Sequence, residues 1–289
     1  MSFSQLNSFK DSLKNLPPEK QLSATQDFIN QIKDPEERYI AETMFFIGQT
    51  ISSSEQKQHI VVLIHGIRTH AEWQERLAEK LKNEAGIEAF PIGYGYFDVF
   101  KFWFPFFTRE EPVVRVLREI RTLRSKNPNA DISIVAHSFG TYIISRILSN
   151  ETDVEIHRLQ LCGSIISLKY RWDQVDSRIS GKAVNDAGTQ DIWPVMASLL
   201  SWGYGASGAF GFKTVSIKDR FHNCGHSDFF TDEHMRKYWI PLLIDGQIVS
   251  SEWSSLRTSR GLFINFLSWL PFKSLLGLYL IYRFVAYNI

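Results

Sequence analysis

The apolar run Ile132-Ser133-Ile134-Val135 passes without a spacer into Ala136-His137-Ser138-Phe139-Gly140, and this junction most narrows what the chain can fold into. The run predicts a buried strand, and a strand that gives way at once to a helix must turn through one sharp corner. Such a corner needs small residues two positions before and two positions after its apex, where Ala136 and Gly140 stand. Ser138 at the apex is then held above the sheet edge within reach of a base, and the backbone N–H of Phe139 points at the same spot.

A second junction lies upstream, where the strand-like Ile60-Val61-Val62-Leu63-Ile64 ends in His65-Gly66-Ile67-Arg68. Gly66 lets the backbone come close, so the N–H of Ile67 becomes a second donor for an oxygen developing negative charge. The rest of the chain repeats the same alternation. Strands are predicted at 59–65, 87–92, 131–136, 158–165, 179–185 and 212–218, with helices at 73–83, 112–125, 140–149 and 232–243. Strands alternating with helices imply a doubly wound, mostly parallel sheet of the α/β class. Ligands in such sheets sit beyond the carboxyl ends of the strands, and Ile67, Ser138, Asp191 and His226 all follow strands.

With His65-Gly66-Ile67-Arg68-Thr69, the serine pentad and Gly225-His226-Ser227 in this order, residues 58–240 resemble the α/β-hydrolase superfamily, in particular bacterial lipase- and esterase-like serine hydrolases with an HGIRT-type oxyanion loop. The resemblance implies a triad in the chain order serine, acid, histidine. Ser138 is then the nucleophile and His226 the base, with His222 as its rival. Asp191, at the end of Gly188-Thr189-Gln190-Asp191, is preferred as the acid. Asp186 stays open, read otherwise as a turn residue. Ile67 and Phe139 supply the oxyanion hole, while His65 and His137 brace loops. His222-x-Cys224-x-His226 has no fourth ligand in view, so no metal is expected. No cofactor is called for.

The flanks add two anomalies. In residues 94–107, nine of fourteen side chains are aromatic, too many for a solvated loop, and Phe97, Phe100 and Trp103 are expected to bind substrate or lipid. The stretch 261–289 carries only Lys273 and Arg283 as charges. Its window 262–282 is long enough to cross a bilayer. A central lysine costs about 3 kcal/mol there, against roughly 4 to 7 kcal/mol from the apolar residues. Pro271 leaves interfacial helices or a docked hairpin as other forms of the same tail.

The expected organisation is an N-terminal helical extension at 1–57, a catalytic domain at 58–245, and a linker with an apolar tail at 246–289. Asp34-Pro35-Glu36-Glu37 opens one helix of the extension with a cap and a first-turn proline. These helices either pack on the core or receive a protein partner. A net charge of +1 and no basic stripe argue against nucleic acid. Two cysteines make no disulfide framework and fit a reducing compartment. No apolar stretch follows Met1, so no signal peptide is expected. The combined expectation is a serine hydrolase of lipid or other acylated amphiphile esters on the cytoplasmic side of a bacterial inner membrane, attached through its tail. A soluble cytoplasmic esterase or thioesterase, and a catalytically silent scaffold, are the alternatives.

Overall fold

The computed structural model describes residues 18–43, 57–66, 72–93 and 109–254, with residues 9, 12, 45, 266 and 279. Ile67, Arg68, Phe97, Phe100 and Trp103 lie outside the described residues, as does nearly all of the apolar tail. Two compact units divide the chain, Met1–Lys57 and Gln58–Ile289. The first holds α1, Pro18–Asn30, and α2, which includes 35–43. Asp34 caps α2: its Oδ1 accepts from the N–H groups of Glu36 and Glu37 at 2.8 and 3.1 Å, neutralising donors that the first turn leaves unpaired.

In the second unit, six strands form one sheet in the order β2-β1-β3-β4-β5-β6. They are β1 His59–Ile64, β2 Glu88–Ile92, β3 Asp131–His137, β4 Leu159–Cys162, β5 Ala183–Gly188 and β6 Lys218–His222. Every neighbouring pair is parallel. A parallel sheet is covered on both faces, which is why the central strands β1 and β3 read as near-continuous apolar runs. Val62 and Ile64 of β1 join one buried cluster with residues of α4, Glu110–Lys126, and α5, Phe139–Asn150. Val61 and Leu63 face the other cluster, with Trp73, Leu77 and Leu81 of α3, Glu72–Ala85. The order reverses direction between β1 and β3, so the carboxyl ends of these strands open a crevice at the sheet's switch point.

Two expectations about the second half of the sheet are corrected. The sixth strand is Lys218–His222 rather than 212–218. Residues after the short helix α7, Ser207–Phe210, fold back instead onto Asp219, whose carboxylate accepts from the N–H groups of Phe212 and Lys213 at 3.0 and 2.7 Å. Their backbone donors are satisfied by this side chain and so do not enter the ladder. Likewise β5 runs on to Gly188, which places Asp186 inside the sheet and not in a turn.

Candidate active site

Ser138 stands between β3 and α5 with φ 53° and ψ −119°. A non-glycine residue held there costs of order 1–3 kcal/mol, so the surrounding structure must impose it. The means is close packing. A Cβ at Gly140 would lie 2.6 Å from the Ile64 carbonyl oxygen, so only glycine lets α5 start against the end of β1. Ser138 N–H donates to the Cys162 carbonyl at 3.1 Å, which ties the apex to the end of β4. Gly66 faces the serine closely enough that a Cβ there would lie 2.8 Å from Ser138 Cβ and 3.3 Å from its Oγ.

The histidine and acid arrive on the loops after β6 and β5. Gly225 N–H donates to the Asp228 carboxylate at 2.6 Å, closing the turn that carries His226. The two loops are stitched together by Thr189 N–H to His222 O at 2.8 Å and Gln190 N–H to Cys224 O at 3.1 Å. Between them, His226 Nδ1 and Asp191 Oδ2 are 2.8 Å apart. Asp191 is fully buried, and its other oxygen accepts from Trp193 N–H at 3.0 Å. That pair fixes the imidazole with Nδ1–H toward the acid and leaves Nε2 as the basic nitrogen. On its other side, a Cβ at Gly163, next after β4, would lie 2.8 Å from His226 Cε1. Ser138 and His226 thus flank the end of the same strand, β4.

Asp186 and His222 meet each other instead. The Asp186 carboxylate receives Arg220 Nε at 2.6 Å, Arg220 Nη2 at 3.0 Å, His222 Nε2 at 3.1 Å, His234 Nε2 at 3.1 Å and Trp239 Nε1 at 2.8 Å. Burial pushes this carboxyl up, but the Arg220 guanidinium and the two imidazoles hold it well below the usual carboxylate range. Burial also lowers His234, against the pull of Asp186. Sequence reasoning missed Arg220, His234 and Trp239. A signal was present in the buried-strand pairing, since Asp186 and Arg220 are register partners on adjacent parallel strands. His234 and Trp239 carried none. They share one face because the helix after β6, α8, passes from Asp232–His234 through a π-helical stretch, Met235–Trp239, to Ile240–Asp245, and π spacing brings residues five apart into line.

Asp186, His222 and His234 also have the composition of a metal-ligating group among the described residues. The donor set does not suit a cation. Both carboxylate oxygens are already taken by a guanidinium that is itself buried, and a divalent ion would sit against that fixed positive charge. The zinc pattern His222-x-Cys224-x-His226 dissolves as well, because His222 and His226 turn to different carboxylates. Cys224 and Cys162 are free thiols, pushed up by burial.

A cavity of about 270 Å³ opens beside α6, Trp193–Leu200, lined by Val195, Leu199, Tyr204, Ala206 and Phe210 with Lys169. Neither Ser138 nor His226 lines it. Closer to the imidazole, the ring of Trp193 is 6.5 Å from that of His226 and 60% exposed.

A parallel sheet in this order, with a positive-φ serine at the β3–α5 corner and an imidazole and a carboxylate carried after β6 and β5, has the architecture of the α/β-hydrolase fold. The family model described as "Putative serine esterase (DUF676)" matches residues 54–163, from just before β1 through the serine corner to the end of β4. Among solved structures, the chain is similar to an uncharacterized protein from Bacillus cereus, with 12% identity, TM-score 0.48, and 74% of this chain and 72% of that one covered. It is also similar to an esterase from Pyrococcus furiosus, at 11% identity and TM-score 0.43 over 64% and 80% of the two chains. An alpha-beta serine hydrolase homologue from Coxiella burnetii aligns at 14% identity and TM-score 0.41, over 66% and 85%. No curated protein matches the chain.

Proposed function

We propose that this protein hydrolyses carboxylic esters of lipids or other acylated amphiphiles through Ser138, His226 and Asp191. The observation that carries the reading is the Asp191–His226 hydrogen bond of 2.8 Å, formed at the strand ends where Ser138 stands at a left-handed corner. His226 Nε2 takes the proton from Ser138 Oγ as that oxygen attacks the acyl carbon, and Asp191 stabilises the imidazolium. The N–H groups of Ile67 and Phe139 hold the tetrahedral oxyanion. Collapse breaks the ester C–O bond, and the departing alcohol takes the proton from His226. Water then attacks the acyl-enzyme with His226 again as base, releasing the acid and restoring Ser138. No step calls for a metal or cofactor.

The preference for lipid rests on sequence. The aromatic stretch with Phe97, Phe100 and Trp103 forms the acyl-binding wall, and the apolar segment 261–289 attaches the enzyme to the cytoplasmic face of a membrane. Among the described residues, no helix is long and apolar enough to cross a bilayer. The test is covalent labelling of the full-length chain by a fluorophosphonate in detergent, beside turnover of phospholipid, glycerolipid and short acyl esters. Labelling lost in Ser138→Ala, with long-chain esters preferred, supports the reading. Absence of labelling in the unaltered protein would refute it.

A further inference from the structure

We propose that His137 is a positioning residue of the hydrolytic site, its Nε2–H held by the backbone carbonyl of His226 so that the serine corner fixes the loop carrying the base. The inference rests on the hydrolase reading above. His137 is the last residue of β3, next to Ser138 and 1% exposed. Its Nε2 lies 3.2 Å from the His226 carbonyl oxygen. A carbonyl only accepts, so Nε2 must carry the hydrogen, and in the neutral ring Nδ1 is then a bare lone pair. Nδ1 indeed has no hydrogen-bond partner among the described residues. A charged ring would need a second acceptor, and burial with the nearby His226 keeps His137 far below the usual imidazole range.

The ring is wedged as well as bonded. A Cβ at Gly66 would come within 3.2 Å of its Nδ1, and one at Gly163 within 3.3 Å of its Cδ2. The His226 ring sits 4.5 Å away by centroid, and Phe230 closes the remaining side edge-on at 4.7 Å. His137 therefore touches the loop after β1, the end of β4 and the histidine loop at once, while its own backbone leads into Ser138. A ring in that position cannot shift without carrying His226 with it. Displacing a catalytic group by about 1 Å can cost on the order of 100-fold in rate.

The experiment compares the full-length protein with His137→Leu, which removes the N–H, and His137→Gln, whose amide nitrogen reaches about as far from the backbone as Nε2. Readouts are kcat and KM on a turned-over ester, the rate of fluorophosphonate labelling, the melting temperature, and ¹⁵N shifts of the histidines in the unaltered protein between pH 5.5 and 8. His137→Leu should lower kcat by about 10- to 100-fold with KM within about twofold, and His137→Gln should regain most of that loss. The ¹⁵N shifts should show His137 protonated at Nε2, bare at Nδ1 and silent to pH. Equal impairment of both variants, full activity in His137→Leu, or an Nδ1–H or titrating ring would each overturn the inference. The isotope measurement needs no variant to fold. An unaltered protein that neither labels nor turns over ester would instead overturn the hydrolase reading, and the inference with it.

Discussion

Asp186 and Asp191 are five residues apart, both fully buried and both bound to imidazole, yet substituting them should do opposite things. Asp186→Asn keeps the volume and removes the charge. Arg220, 1% exposed, then retains only uncharged acceptors: Gln160 Oε1 at 3.2 Å and the carbonyls of Val249 and Tyr238 at 3.1 and 3.4 Å. Removing one partner of a buried ion pair costs about 3–5 kcal/mol, because the other charge is left uncompensated. For a domain of this size each kcal/mol moves the melting temperature by roughly 2–4 °C. A fall of about 6–20 °C is therefore expected by calorimetry, with labelling of Ser138 retained in the fraction still folded. Asp191→Asn faces no buried cation. It should shift the melting temperature by less than about 3 °C, yet lower kcat by several orders of magnitude through the wrong tautomer at His226. If Asp186→Asn melts normally but loses turnover, the two carboxylates have been assigned the wrong way round.

Other predictions test strain and protonation. Ser138→Gly and Ser138→Ala should both be inactive, but the glycine variant should be the more stable in urea by about 0.5–2 kcal/mol, since only glycine adopts the corner's positive φ without strain. Equal stabilities would mean that the corner stores no strain. Stability should also fall as pH drops below 6.5. Burial, aided by Arg158 and His157, lowers His59 from 6.5 to about 4, and burial likewise lowers His65, His137 and His234. Each of these groups binds its proton more tightly in the unfolded chain, so their contribution is complete above pH 6.5 and is lost progressively toward pH 4. Urea titrations at pH 7.5, 5.5 and 4.5 should give a steady decline, and a maximum at pH 5.5 would contradict the sign.

The division of labour between sequence and fold is visible at particular residues. The corner at Ser138, the parallel alternation and the run Gly225-His226 were legible because each is a local demand. A strand that turns in one residue needs small neighbours at fixed offsets, and the central strands of a two-sided sheet need near-continuous apolar runs, as β1 and β3 have. Strand ends were less legible where a side chain competes for backbone donors, as Asp219 does for Phe212 and Lys213.

Which carboxylate faces which imidazole was decided only in three dimensions. Asp186 and Asp191 have the same chemistry and stand in the same stretch of chain. Burial beside Arg220 turns the first into the anchor of a charge cluster that also holds His222 and His234. The second, carried past the end of β5, meets His226. Local sequence sets the backbone's corners and the alternation of its faces, because those depend on near neighbours. The pairing of charges depends on which strands lie side by side and on a π turn in α8, and those are properties of the folded chain.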